Sequence, residues 1–558
     1  MMPSYKGRQV FMETLRAHGV EYIFGNPGTT EMPILDSLLE YPDLRYIMTL
    51  QESIAVGAAH YYAQASGKTG VVSLHVAPGL GNGLGMLYNA YEANSPMLVT
   101  AGQQDRRMRL REPLLGHDLV AMAAPVVKWS VEVESADEMA PILHRALKIA
   151  HDPPEGPVFV ALPIDVMEQD TAAGPVGPSG LFRRAAPDPA GIERAVALVA
   201  SARRPVIIVG DGVARSGAQD ELVALAELLG APVYYEGLYH QVDFPTDHPS
   251  CSLRLPFDHA AIRSTLGDAD LVLLAGGSFF EEVWFDRGSP FPDGARVVQV
   301  EAAPAKLAHN FPLDLGLVAD PREAFRALNE RFAATVDGNF RAAAAERNAA
   351  LREAREREVA GQAARAQAKW DANPIAAARL MAEIRDAMPE RTVVVNEAIT
   401  LTPDVMRTLS FPRQGDYYGT RGGGIGQAVP GALGVKLAHP DRTVLAISGD
   451  GSALYTIQAL WTAAHHDLPV VWVILHNRSY RILKLNLDNY QRRFGLPGDR
   501  PYPHMDLTEP EIDFAEIARG FGVAGEVVSR PDEIQPALER AFKSGRPYLL
   551  DVLVDGRV

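Results

Sequence analysis

Two patterns of apolar and polar positions alternate along most of the chain. Short runs rich in β-branched and apolar residues stop at turns, among them YIFG, GVVSLH, PMLVTAG, PVFVALP, ADLVLLAGG, TVLAIS and PVVWVILH. Runs of this kind read as strands buried on both faces of a parallel sheet. Between them lie segments whose apolar residues recur at spacings of three and four, which read as helices. Such segments cover residues 8–18, MPILDSLLEY, an alanine-rich stretch from Gln51-Glu52 to about Ser66, and 454–466. Strand, helix and strand in regular succession predict an α/β chain with doubly wound, mostly parallel sheets.

The pattern breaks twice, which predicts three domains. Residues 171–189 lack periodicity and are rich in Gly, Pro and Ala, as a linker is. Residues 341–370 are charged and alanine-rich, as a solvated helical connector is. The expected domains are residues 1–170, 190–335 and 373–558. A chain of 558 residues is too long for one core. Its net charge of -16 argues against a nucleic-acid surface. The single cysteine, Cys251, excludes an intrachain disulfide, and with no apolar span or signal segment the expectation is a cytoplasmic α/β enzyme.

Candidate chemistry concentrates in residues 443–480. A strand ends at Gly449-Asp450-Gly451-Ser452, a helix follows, and the next strand ends at Asn477-Arg478-Ser479. Asp450 and Asn477 then stand at the same ends of neighbouring strands, where open α/β sheets bind ligands. A carboxylate, an amide oxygen and the Ser479 carbonyl would suit Mg²⁺ and leave room for phosphate oxygens. The amides of Gly451 and Ser452 are natural phosphate donors. An ordinary tight turn with an unrelated asparagine fits the same spacing. In the second domain VIIVGDGVARSG does not complete GxGxxG, so a structural domain is expected there rather than a nicotinamide or flavin site.

Gly449-Asp450-Gly451, with Asn477 at 27 residues from the aspartate, resembles the diphosphate–Mg²⁺ motif of thiamine-diphosphate-dependent enzymes. Within that superfamily FGNPGTTE, LQESIAVG, LHVAPGLGN, VTAGQQ, GGGIGQAVPGALGV and GDGSALYTIQALWTAA are most similar to benzoylformate decarboxylases, with likeness also to acetolactate synthases. The resemblance implies a thiamine-diphosphate-binding fold in which pyrimidine-binding, central and diphosphate-binding domains follow in order. It gives Glu52 the role of activating acid at N1′ of the aminopyrimidine. Gly423 would accept from the 4′-amino group through its carbonyl, and Ile425 would prop the cofactor in its bent form. Thr400 would lie near the diphosphate, while Asp450, Asn477 and Ser479 would hold Mg²⁺. Thr29 would meet the substrate carboxylate, and His75 would move protons.

The implied reaction is decarboxylation of a 2-oxo acid, aryl and benzoylformate-like, to aldehyde and CO₂. The alternative is an acetolactate synthase-like or acyloin-forming carboligase, for which an aldehyde could be the acceptor, and a remote one is a non-catalytic cofactor-binding protein. In the superfamily the two halves of a site come from different chains, which implies at least a dimer and usually a tetramer. The chain departs from the pattern at Val283, which takes the place of a second active-site histidine; Glu282 is the candidate substitute. Arg421 has two readings, a surface or interface ion pair and a charge near the cofactor. Arg478, Arg481 and Lys484 could line an entrance, and Phe279, Phe280, Trp284, Phe285 and Leu483 could line an aromatic pocket. The adjacent His465 and His466 are not expected to share a metal, because their side chains diverge.

Overall fold

The computed structural model describes residues 5–277, 279–281, 283–498 and 500–557. Three six-stranded sheets, parallel throughout, carry the fold. In the first, the order is Arg45–Met48, Tyr22–Gly25, Gly70–His75, Met97–Gln103, Pro157–Pro163 and Ser130–Glu132. In the third it is Tyr417–Tyr418, Val393–Glu397, Val444–Gly449, Val470–His476, Tyr548–Leu553 and Ala524–Val528. Numbered within its own domain, each sheet runs 2-1-3-4-6-5, so the two share one topology. The middle sheet runs 3-2-1-4-5-6, from Cys251–Arg254 at one edge to Leu315–Val318 at the other. A short antiparallel pair, Tyr5–Lys6 with Asp170–Thr171, ties the start of the chain to the end of the first sheet.

Strands such as Met97–Gln103, Pro157–Pro163 and Val470–His476 are buried at every position. Helices cover both faces of the parallel sheets, so apolar residues are required on both sides. The first and third domains meet along helices Glu52–Ser66 and Ala428–Ala438, whose side chains join one hydrophobic core. The Tyr61 hydroxyl closes that seam by donating to the Gly419 carbonyl at 2.7 Å. At the far end Met48 N donates to His466 Nε2 at 3.0 Å and Thr462 Oγ1 to Met48 O at 3.1 Å. His466 is therefore an interdomain acceptor, and His465 stacks on Trp461.

Residues 341–368 of the expected connector fall within a 31-residue helix, Gly338–Ala368, in which Ala344 and Ala366 are the buried positions. A groove of about 1530 Å³ separates its C-terminal half from the third domain. Predicted elements shift in two places. MPILDSLLEY shortens to a helix over Met32–Ser37. The helix predicted over 454–466 is confined to Ala459–His465, and a separate short helix, Asp450–Ala453, precedes it. Between them the amides of Tyr455 and Thr456 donate three residues back, to Ser452 and Ala453, a tighter winding than an α-helix. The tightening presents Thr456 Oγ1 to the Gly426 carbonyl at 2.8 Å.

The middle domain's strand-order reversal lies between Pro205–Val209 and Leu271–Ala275. A Cβ on Gly212 would stand 2.6 Å from the Gly276 carbonyl oxygen, so backbone meets backbone where a dinucleotide would need open space. No helix among the described residues is long and apolar enough to cross a membrane.

Candidate active site

In the first and third sheets the order reverses between Tyr22–Gly25 and Gly70–His75, and between Val393–Glu397 and Val444–Gly449. Crevices beyond the carboxyl ends of such strand pairs are where open α/β sheets bind ligands. Thr29 follows the first of these strands and His75 ends the second; Thr400 follows the third and Asp450 the fourth. Asn477 comes directly after Val470–His476, the neighbouring strand.

Glu52 opens helix Glu52–Ser66, whose N-cap, Gln51, accepts from Ser53 N at 2.6 Å. Its carboxyl is buried and receives two amides, Asn26 Nδ2 at 3.3 Å on one oxygen and Asn82 Nδ2 at 3.0 Å on the other. Ser53 Oγ donates to the Asn82 carbonyl at 2.6 Å, which locks this helix start to helix Val76–Glu92. Among the described residues no cation pairs with Glu52. Both carboxyl oxygens therefore accept from neutral amides.

His75 packs against Gly28, where a Cβ would lie 2.1 Å from the imidazole. Its Nδ1 is 2.8 Å from Glu31 Oε2 and 3.2 Å from Thr30 Oγ1. Glu31 is buried and also accepts from Thr30 Oγ1 at 2.7 Å and Gly102 N at 3.0 Å. Burial raises its pKa, opposed by the Thr30 and His75 contacts. With Nδ1 engaged by a carboxylate, Nε2 is the nitrogen left to exchange protons with a ligand. Thr30 and Glu31, not singled out from the sequence, hold His75, and Thr29 is exposed.

At the third sheet Asp450 is buried, with Oδ1 accepting from Gly451 N at 2.8 Å and Oδ2 from Arg478 N at 2.6 Å. Burial raises its pKa against these amides. Among the described residues no arginine or lysine lies within ion-pair distance of it, and a hard cation would complete such a site. Asn477 Oδ1 accepts from Ser479 N at 3.0 Å and Ser479 Oγ at 3.2 Å, and the Ser479 carbonyl from Arg481 N at 2.9 Å. Ligation through Asn477 would redirect its amide oxygen from Ser479. The described residues contain no cluster of three or more His, Cys, Asp or Glu that could hold a metal, so a site here is one of mixed donors. Gly451 and Ser452 open the short helix Asp450–Ala453.

Gly423 and Ile425 lie in the segment before helix Ala428–Ala438, where Gly422, Gly423 and Gly426 have φ of 78°, 82° and 95°. Glu397 pins the end of this segment, accepting from Gly426 N at 2.8 Å and Ala428 N at 2.9 Å. Fully buried, it is pushed up to about 7 by desolvation despite those amides. Its position after VVVN, at a strand end, was the available signal. Among the described residues no hydrogen bond or ion pair joins Glu52 to Asp450, Asn477 or Ser479.

Several expectations are corrected. Of the two readings of Arg421 an interface ion pair is the one found, but buried rather than on the surface, against the middle-domain carboxylates Glu236 at 3.0 Å, Glu281 at 3.5 Å and Asp211 at 3.6 Å. Its three carboxylate partners all lie in another domain, 140 to 210 residues away, which no local pattern reveals. Phe279 and Phe280 are not pocket residues but core, packed with Phe291 and Phe311. Trp284 faces Tyr490 with ring centroids 6.4 Å apart, while Val283, Phe285 and Leu483 are exposed. Glu282 lies outside the described residues. Arg478 pairs with Glu511 at 3.1 Å and Lys484 with Asp506 at 2.6 Å, while Arg481 forms no ion pair among the described residues.

Three family models cover most of the chain: the N-terminal TPP binding domain of thiamine pyrophosphate enzymes over residues 5–122, the central domain over 192–328, and the C-terminal TPP binding domain over 400–552. A benzoylformate decarboxylase of Pseudomonas aeruginosa is 34% identical over 97% of this chain and 97% of its own. An acetolactate synthase large subunit of Parasynechococcus marenigrum is 28% identical over 98% of this chain and 87% of its own. The solved structure of a thiamine diphosphate-dependent 4-hydroxybenzoylformate decarboxylase from Rhodococcus jostii RHA1 superposes with a TM-score of 0.83. It has 30% identity and spans 99% of both chains.

Proposed function

The chain belongs to the thiamine pyrophosphate enzyme family, and from that premise we propose that it decarboxylates an aryl 2-oxo acid non-oxidatively, giving an aldehyde and CO₂, with thiamine diphosphate and Mg²⁺. Bound, the cofactor supplies an electron sink for the bond that breaks when CO₂ leaves. The observation that carries the reading is Glu52, a buried carboxyl presented between two amides at a helix start beside the first sheet's crevice. In the proposed site Glu52 holds a proton at the pyrimidine nitrogen, and the Gly423 carbonyl and Ile425 orient the ring. Thr400, Gly451 and Ser452 meet the diphosphate. Asp450, Asn477 and the Ser479 carbonyl hold Mg²⁺. Thr29 donates to the substrate carboxylate, and His75, oriented by Glu31, delivers protons.

The roles divide the chain into a pyrimidine-binding part (1–170), a central part (190–335) and a diphosphate-binding part (373–558). The proposed site is completed by a second copy of the chain, in a dimer or a dimer of dimers. Carboligation is the second reading, favoured by Val283, which is 60% exposed and cannot carry a proton to the product. Aryl and alkyl 2-oxo acids supplied with thiamine diphosphate and Mg²⁺ test both readings through their products, aldehyde or hydroxyketone. Glu52→Gln should lower turnover on the order of 10²–10⁴-fold. Full activity in that variant would end the proposed mechanism.

A further inference from the structure

The segment that carries Gly423 and Ile425 is held by residues of all three domains. From the third, Glu397 takes the amides of Gly426 and Ala428, and Thr456 takes the Gly426 carbonyl. From the middle domain, Glu236, Asp211 and Glu281 surround the Arg421 guanidinium, which also donates to the Leu238 carbonyl. From the first, the buried Asn89 on helix Val76–Glu92 makes a two-point contact with Gly424: Oδ1 accepts from its N–H at 3.1 Å and Nδ2 donates to its carbonyl at 3.2 Å.

The contact to Gly424 N–H reaches one residue further. That N–H and the Gly423 carbonyl belong to one planar peptide group, in which a trans bond points them in opposite directions. Gly423 has φ of 82° and Gly422 of 78°, backbone states in which glycine alone is unstrained and free to reorient. Without a partner for Gly424 N–H this peptide plane would be free to turn. Asn89 removes that freedom from behind, and the carbonyl is directed away from Asn89.

We propose that Asn89 is a positioning residue that aims the Gly423 carbonyl, with Arg421 anchoring the start of the same segment to the middle domain. This rests on the reading that the Gly423 carbonyl receives the cofactor's amino group, and it adds that the first domain sets that acceptor from within the same chain. Arginine suits the anchoring position, because its fork can engage several carboxylates and a carbonyl together where a lysine ammonium could not.

The test compares full-length wild type with Asn89→Ala and Asn89→Asp, the latter keeping an acceptor for Gly424 N–H. Three quantities are read: thiamine diphosphate affinity with Mg²⁺ by tryptophan fluorescence, amide exchange across residues 422–426 without cofactor, and Tm. Asn89→Ala should speed exchange at Gly424 and weaken cofactor binding tenfold or more, and Asn89→Asp should restore slow exchange at Gly424. Unchanged exchange and affinity in Asn89→Ala would overturn the proposal. So would a lowered Tm with unchanged affinity, which would mark the contact as structural only. Should neither Asn89 variant fold, Arg421→Lys combined with Glu236→Gln, which lowers the buried negative charge, is read in the same way. Wild type that binds no thiamine diphosphate would end the functional reading, while exchange at Gly424 would still decide the pinning.

Discussion

Glu236 shows how a single buried carboxyl can govern the pH dependence of the fold. Desolvation raises it to about 7, although Arg421 pulls the other way and Glu281 and Asp211 push with burial. Arg421 itself is lowered by desolvation, but the three carboxylates outweigh that and raise it overall. A carboxyl whose native pKa lies above its ordinary value of 4.5 binds more protons folded than unfolded between 4.5 and about 7. Stability therefore falls as pH rises through that window and levels off above it, by on the order of 3 kcal/mol for one group. Glu236→Gln should flatten Tm between pH 5 and 7 relative to wild type; an unaltered slope would locate the effect elsewhere. His75 offers a second test at this scale. His75→Ala should retain cofactor binding and lose about 10²-fold or more in turnover, and turnover at the wild-type rate would remove it from the proton path.

Among the elements, the 422–426 segment and the broken helix after Asp450 form one unit. Thr456 donates to the Gly426 carbonyl from a stretch that winds more tightly than an α-helix. Gly426 has φ of 95°, and a Cβ there would stand 2.6 Å from Tyr455 Cβ. Gly426→Ala should accordingly cost about 1–3 kcal/mol from backbone strain alone, read as a fall in denaturation midpoint. Thr456→Val keeps the side-chain shape and leaves the Gly426 carbonyl without its donor, a loss of about 1–3 kcal/mol. Stability equal to wild type in both variants would mean that the segment and the helix break are independent. The Phe279–Phe280 pair belongs to this scale too. It fills the core above the middle sheet, so its aromatic content says nothing of the substrate.

For the whole molecule, the shared topology of the first and third sheets places two crevices in one chain, each with part of the proposed chemistry. Glu52 and His75 stand at one, Asp450 and Asn477 at the other, and no hydrogen bond or ion pair among the described residues connects the sets. If a site combines one crevice from each of two chains, Glu52→Gln and Asp450→Asn chains are each inactive alone. Coexpressed, they should recover about a quarter of wild-type activity, since random pairing makes half the dimers mixed and each mixed dimer keeps one intact site. No recovery would place both halves of the site within a single chain.

Much of this protein was determined by the sequence itself. β-branched runs ending in turns specify buried parallel strands, because helices on both faces leave them no solvated side. The placements of Glu52, His75, Asp450 and Asn477 at helix starts and strand ends follow from the same local pattern. What only the tertiary structure decided are the partnerships. Arg421 has its carboxylates 140 to 210 residues away in another domain; Asn89 lies 335 residues from Gly424; Glu31 turns out to be the partner that orients His75. Helix and strand propensities are properties of neighbours along the chain. A buried charge or amide is satisfied by whatever group the packing of whole domains brings within hydrogen-bond distance, and that is settled only when the domains meet.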